Sequence, residues 1–176
     1  MAGQKPVVGI IMGSKSDLGV MEGCTAELEA LGVPYELVIA SAHRTPAKVH
    51  EWASTASDRG IKVIIAAAGM AAHLCGVIAS MTTVPVIGVP INSTLDGMDA
   101  LLAIVQMPPG IPVATVAING ALNAGILAAK IIATNDEALA DRLEAYATNM
   151  KETVEKKAAK LESIGYSEYL KQMQSK

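Results

Sequence analysis

The chain has 176 residues, 51% of them hydrophobic and 18% charged, which suits one compact domain with a sizeable core. The net charge is −3 and the 14 Lys and Arg residues form no basic block, which argues against nucleic acid as a partner. No apolar run is long enough to span a bilayer and Met1 to Pro6 carries no signal-peptide pattern, so a soluble cytoplasmic protein, with no membrane partner, is expected.

Short β-branched runs alternate with longer helical patterns. Val7 to Met12 reads as the first strand, and Asp17 to Leu31 as a helix stopped by Gly32. Tyr35 to Ala40 is the second strand. Thr45-Pro46 then opens a helix to Asp58, with Thr at the cap and Pro at the first helical position. Lys62 to Ala67 is the third strand, followed by a small-residue helix over Ala71 to Met81. Val84 to Val89 is the fourth strand, Asp99 to Gln106 a short helix, and Pro112 to Ile118 the fifth strand. Asn119 to Ala133 is helical and apolar almost all round, which predicts burial. A long amphipathic helix runs from Asp136 to about Ile164, and Gly165 to Lys176 is expected to fray.

Near-continuous apolar strands that alternate with helices predict a parallel sheet covered on both faces. The expected fold class is therefore α/β, a three-layer sandwich around a five-stranded parallel sheet, with a long C-terminal helix. Residues 1–176 form a single domain in this reading, with a core of about 6–134 and a helical extension of about 135–176. The apolar surplus is mostly Ala, Val, Ile and Met, with no Phe. Together with the apolar helix and a final helix striped by Leu139, Leu143, Tyr146, Met150, Val154 and Leu161, it predicts a homo-oligomer.

In open α/β sheets ligands bind beyond the carboxyl ends of the strands, and three exits there are unusual. Gly13-Ser14-Lys15-Ser16-Asp17 follows the first strand and opens a helix. Its hydroxyls and free backbone N–H groups suit a phosphate, and Asp17 could accept from ribose hydroxyls. The same residues would serve equally as a helix cap. Ser41-Ala42-His43-Arg44-Thr45-Pro46 follows the second strand. His43 is suited to moving protons at neutral pH, and Arg44 can hold a phosphate bidentately. After the third strand, the N–H groups of Gly69, Met70, Ala71 and Ala72 could cradle a carboxylate or carbon dioxide. His73 lies inside the predicted helix, where a structural and a catalytic role are both open. Cys75 reads as a small packed residue. His50, mid-helix, reads as a surface residue. Cys24 and Cys75 make neither a disulfide framework nor a zinc pattern, and no metal-ligand spacing appears.

Taken together, MGSKSD (Met12 to Asp17), SAHRTP (Ser41 to Pro46), AAHL (Ala71 to Leu74), PVIGVP (Pro85 to Pro90) and DALLAIVQMPPGIPVATVAI (Asp99 to Ile118) resemble the class I N5-carboxyaminoimidazole ribonucleotide mutases, the PurE family. The resemblance covers about Val7 to Ala133. It implies a flavodoxin-like fold, a homo-octamer with sites between subunits, and no metal or organic cofactor. It implies a reaction of de novo purine biosynthesis that converts N5-carboxyaminoimidazole ribonucleotide to the 4-carboxy isomer. It makes His43 the general acid/base and Ser14, Ser16, Asp17, Ser41 and Arg44 ribonucleotide-binding residues. Gly69, Met70, Ala71, His73 and Leu74 fall around the migrating carboxylate. Many class I members carry Gly at the position of Met70 and Pro at that of Cys75. The alternative is the class II activity, direct carboxylation of the aminoimidazole ribonucleotide with carbon dioxide; the AAHL segment favours class I. A flavodoxin-like flavin or ribonucleotide-binding module is a further alternative, which the scarcity of aromatic residues disfavours.

Overall fold

The computed structural model describes residues 5–174. Five strands form one parallel sheet: β1 (Val8–Met12), β2 (Tyr35–Ile39), β3 (Val63–Gly69), β4 (Val86–Ile91) and β5 (Ala114–Thr115). Their spatial order is β2-β1-β3-β4-β5. β1 pairs with β2 on one side and β3 on the other, Met12 standing opposite both Ile39 and Ala67. The order of the chain therefore reverses at β1, and the crevice of a doubly wound sheet opens at that reversal, outside the strand ends.

The helices are α1 (Leu18–Ala30), α2 (Pro46–Ser54), α3 (Leu74–Ala79), α4 (Met98–Val105), α5 (Ala121–Ala133), α6 (Glu137–Ile164) and α7 (Tyr166–Gln174). Alternation along the strands sends side chains into two cores. Val8, Ile10, Ile65 and Ala67 meet Met21, Cys24 and Leu28 of α1 and Ala124 and Ala128 of α5. Ile11, Ile64, Ala66 and Ala68 meet Val49, Ala53, Leu74, Ile78 and Ile104 on the opposite face. Both faces are thus covered, which is why the strands read as unbroken apolar runs.

The structure corrects several boundaries. The fifth strand shrinks from Pro112–Ile118 to two paired residues, because this outer segment keeps only the register Ile87 to Ala114 and Gly88 to Thr115. The helix after the third strand begins at Leu74 rather than Ala71. The segment after Gly165 forms α7 over nearly its whole length; residues 175–176 lie outside the described residues. The apolar α5 buries Ala121, Ala124, Gly125, Ala128 and Ala129 against α1 and the sheet, while Leu122 on its outer side stays exposed. No described helix is long and apolar enough to cross a membrane.

On the face of α2, Trp52 lays its ring on the backbone of Gly9; a Cβ on Gly9 would stand 2.9 Å from two of its carbons. Arg59 covers the ring at 5.4 Å from its centroid and pairs with Glu36 at 2.8 Å. α6 starts with an Asp136 cap on Leu139 N–H at 2.9 Å, and Arg142 Nε donates to Leu31 O at 2.8 Å. Its 28 residues span about 42 Å at the helical rise. Leu139, Leu143 and Tyr146 pack on the core, whereas Met150, Val154 and Leu161 of the same stripe are exposed.

Candidate active site

A cleft of about 490 Å³ opens at the carboxyl ends of β1, β2 and β3. The exit of β1 builds its first side. Ser14 caps a single 3-10 turn, Lys15–Asp17: its Oγ accepts from Ser16 N–H at 3.3 Å and its N–H donates to Asp17 Oδ2 at 3.2 Å. Ser16 Oγ reaches Ser14 Oγ at 2.9 Å and Asp17 Oδ1 at 3.1 Å. The cap and the candidate phosphate loop are therefore the same object, and the two readings of this segment are compatible.

Asp17 is only 6% exposed, and among the described residues no cation pairs with it. Burial raises its pKa above the ordinary 3.8, and the bonds from Ser16 and Ser14 offset this in part. Unfolding therefore releases a proton between 3.8 and the raised value, and the fold loses stability from this group as pH rises through that interval. Asp17→Asn should escape that loss. Its Tm, relative to the parent, should be higher at about pH 7 than at about pH 4, while ribonucleotide binding weakens. Scanning calorimetry at both pH values checks this; an equal Tm difference at the two would show that the carboxylate carries no burial penalty.

The exit of β2 builds the second side. Thr45 N–H donates to Ser41 O at 2.8 Å, Ser41 N–H to Thr45 Oγ1 at 2.9 Å, and Arg44 N–H to Ser41 Oγ at 3.2 Å. This tight turn presents His43 and Arg44 outward, both exposed. Arg44 Nη2 donates to Gly13 O at 3.1 Å, tying the second exit to the first. The rest of the guanidinium is left for an anion.

The exit of β3 supplies Ala68, Gly69, Met70, Ala72 and Leu74. Met70 and His73 both hold left-handed backbones, with φ of 56° and 54°. Strained backbone of this kind clusters at functional sites. His73 is thus the residue before α3 rather than a residue within it. Its Nδ1 donates to Ala103 O of α4, which fixes the tautomer and leaves Nε2 without a proton in the neutral ring. The ring rests on Gly76, where a Cβ would stand 2.1 Å from Nε2. Gly76→Ala should therefore drive the ring off Ala103 and cost about 1–3 kcal/mol of stability. Denaturant titration reads this directly, and an unaltered midpoint would show that His73 relocates freely.

Of the residues singled out from the sequence, Ser14, Ser16, Asp17, Ser41, His43, Arg44, Gly69, Met70 and Leu74 line one cleft. Ala71 and His73 do not line it. Gly13, Ala42, Ala68, Ala72 and Ser93 complete it. Ser93 follows β4 and packs against Gly69, its Oγ 2.9 Å from where a Cβ would stand; the adjacent hydroxyls of Ser93 and Thr94 at a strand exit were the available signal. Cys75 is buried, its thiol donates to Ala66 O at 3.1 Å, and burial pushes its pKa up to about 12, as it does for Cys24. Neither thiol is poised as a nucleophile. Among the described residues no three His, Cys, Asp or Glu side chains converge.

The sequence has close relatives. A protein from Pyrococcus horikoshii called N5-carboxyaminoimidazole ribonucleotide mutase is 56% identical over 97% of both chains. One of the same description from Thermotoga maritima is 57% identical over 95% of this chain and 98% of its own. A Schizosaccharomyces pombe phosphoribosylaminoimidazole carboxylase is 57% identical, but the match covers 94% of this chain and 30% of that longer protein. The crystal structure of Treponema denticola PurE superposes with a TM-score of 0.81 at 32% identity, over 89% of this chain and 98% of that one. The profile of the family described as AIR carboxylase matches residues 7–153. On that match and those identities, the chain belongs to the AIR carboxylase family.

Proposed function

We propose that this chain interconverts N5-carboxyaminoimidazole ribonucleotide and its 4-carboxy isomer, a carboxyl transfer of purine biosynthesis that takes place in the cytoplasm. The observation that carries the reading is the convergence of a phosphate-type loop, an exposed His-Arg pair and an apolar loop in one cleft at the sheet's switch point. Relatives of the same length carry the mutase description at 56–57% identity.

Ser14, Ser16 and the N–H groups of the first turn take the phosphate together with Arg44, and Asp17 takes the ribose hydroxyls. This sets the imidazole between His43 and the β3 exit. The bond between the carboxyl carbon and the exocyclic nitrogen breaks, its electron pair stays on nitrogen, and His43 gives that nitrogen a proton. The ring carbon, nucleophilic through its enamine-like bond to the amine, attacks the freed carbon dioxide. His43 then removes the proton from that carbon, so protons balance over the cycle. Holding both fragments in one cleft supplies the proximity effect. No cofactor enters the scheme.

Purified protein offered the N5-carboxy ribonucleotide should form the 4-carboxy isomer without added bicarbonate. Turnover only of the uncarboxylated ribonucleotide with bicarbonate would replace this reading with direct carboxylation.

The assembly we propose is a homo-octamer. Met98, Leu102 and Val105 line the outer side of α4, Leu37 and Ile39 are exposed on the edge strand β2, and the far half of α6 carries a bare apolar stripe. Light scattering at micromolar concentration should give a mass several times that of one chain; a fully active single-chain species would refute assembly.

A further inference from the structure

The loop between β4 and α4 is held at both ends. Asn92 N–H donates to Asn119 Oδ1 at 2.9 Å, and Asn119 is itself anchored by its own N–H to Pro90 O at 2.8 Å. Two residues on, the Thr94 hydroxyl donates to Asp99, and Thr94 O accepts from Gly97 N–H at 2.7 Å. The chain then passes through three successive left-handed residues, Leu95, Asp96 and Gly97, with φ of 44°, 53° and 81°. Only the glycine adopts this backbone without penalty. Leu95 is 75% exposed, so burial of its side chain does not offset the strain. Strain of this kind persists where the surrounding structure enforces it, and it gathers at ligand sites.

The residue fixed between the two anchors is Ser93. It lines the cleft beside Gly69, and its hydroxyl has no hydrogen-bond partner among the described residues. The exits of β3 and β4 otherwise line the cleft with alanine, glycine, methionine and leucine. Ser93 therefore carries the sole polar side chain on that side of the cleft among the described residues.

The ribonucleotide makes two unlike demands on such a cleft. Its phosphate and ribose are met by Ser14, Ser16, Arg44 and Asp17. The carboxylate of the 4-carboxy isomer stands on the ring instead, and a carboxylate withdrawn from water needs hydrogen-bond donors. A hydroxyl donates without adding charge. A cation in its place would favour the charged carboxylate over the neutral carbon dioxide through which the transfer passes, and so would slow the chemical step.

We infer that Ser93 is a further substrate-binding residue, its hydroxyl donating to the ring carboxylate and so telling the carboxylated ribonucleotide from the uncarboxylated one. The inference rests on the mutase reading above. The anchors at Asn92 and Thr94 serve to hold that hydroxyl in place.

The test is calorimetric titration of the purified protein with two ligands, the 4-carboxy isomer and the uncarboxylated aminoimidazole ribonucleotide. Ser93→Ala removes one oxygen that bonds to no protein group, so the variant should fold as the parent does. It should bind the 4-carboxy isomer about 10- to 100-fold more weakly, the loss of one hydrogen bond to a charged group. Its affinity for the uncarboxylated ribonucleotide should stay at the parental value. A general loosening of the loop would not produce that split. Equal weakening of the two ligands, or parental affinity for both, would overturn the inference. Failure of the mutase reading looks different: the parent itself would then bind neither ribonucleotide.

Discussion

His43→Asn should lower kcat by roughly 10²–10⁴-fold, the usual contribution of a positioned general acid/base. Asparagine retains hydrogen-bonding groups at similar reach but cannot exchange a proton at neutral pH. The loop is held by Ser41, Arg44 and Thr45 through backbone and hydroxyl groups, and the His43 side chain takes no part in those bonds. The variant should therefore fold as the parent does. Steady-state kinetics on the N5-carboxy ribonucleotide decide it: turnover near the parental value would remove His43 from the chemistry and leave the cleft without an exposed proton carrier.

Arg44→Ala should weaken ribonucleotide binding by roughly 10- to 150-fold, the equivalent of losing one charge-assisted hydrogen-bonding group. The loss has two parts. The guanidinium no longer meets the phosphate, and its bond to Gly13 O, which ties the first loop to the second, is gone. Arg44→Lys separates them, since lysine keeps a charge but not the planar fork. Calorimetric titration with the ribonucleotide and with the free imidazole base checks the assignment. Weakening of both ligands alike would show that Arg44 shapes the cleft without reading the phosphate.

Much of this architecture is legible in the chain because burial on both faces leaves a plain signal. Val63 to Ala68 lies wholly inside, and its unbroken apolar run announces a central strand. The end of the sheet is less readable. Pro112 to Ile118 has strand-like composition, but it borders solvent and needs only two paired residues to close the layer. The exits of β1 and β2 stood out through their Ser, Asp, His and Arg residues, which line one cleft, although Ser14 and Asp17 also cap a helical turn. His73 illustrates the limit of periodicity. Leu74, Cys75 and Ile78 sit at the same helical spacing whether the helix begins at 71 or 74, so the pattern carries no information on the backbone of the residue before them. Its left-handed turn follows instead from tertiary packing, in which Ala103 holds the ring over Gly76. Ser93 escaped notice for a related reason: a single hydroxyl becomes part of a site only when β4 brings its loop beside Gly69.

Trp52 is the sole indole in the chain, and there is no Phe. Its ring is pressed between a guanidinium and the backbone of Gly9 near the start of β1, while the phosphate loop follows the other end of that strand. The molecule thus carries a built-in optical gauge of sheet integrity. Emission from this one indole should respond when Gly9 and the ring part company. Each cleft variant can be judged folded or unfolded by its own intrinsic light, without a label.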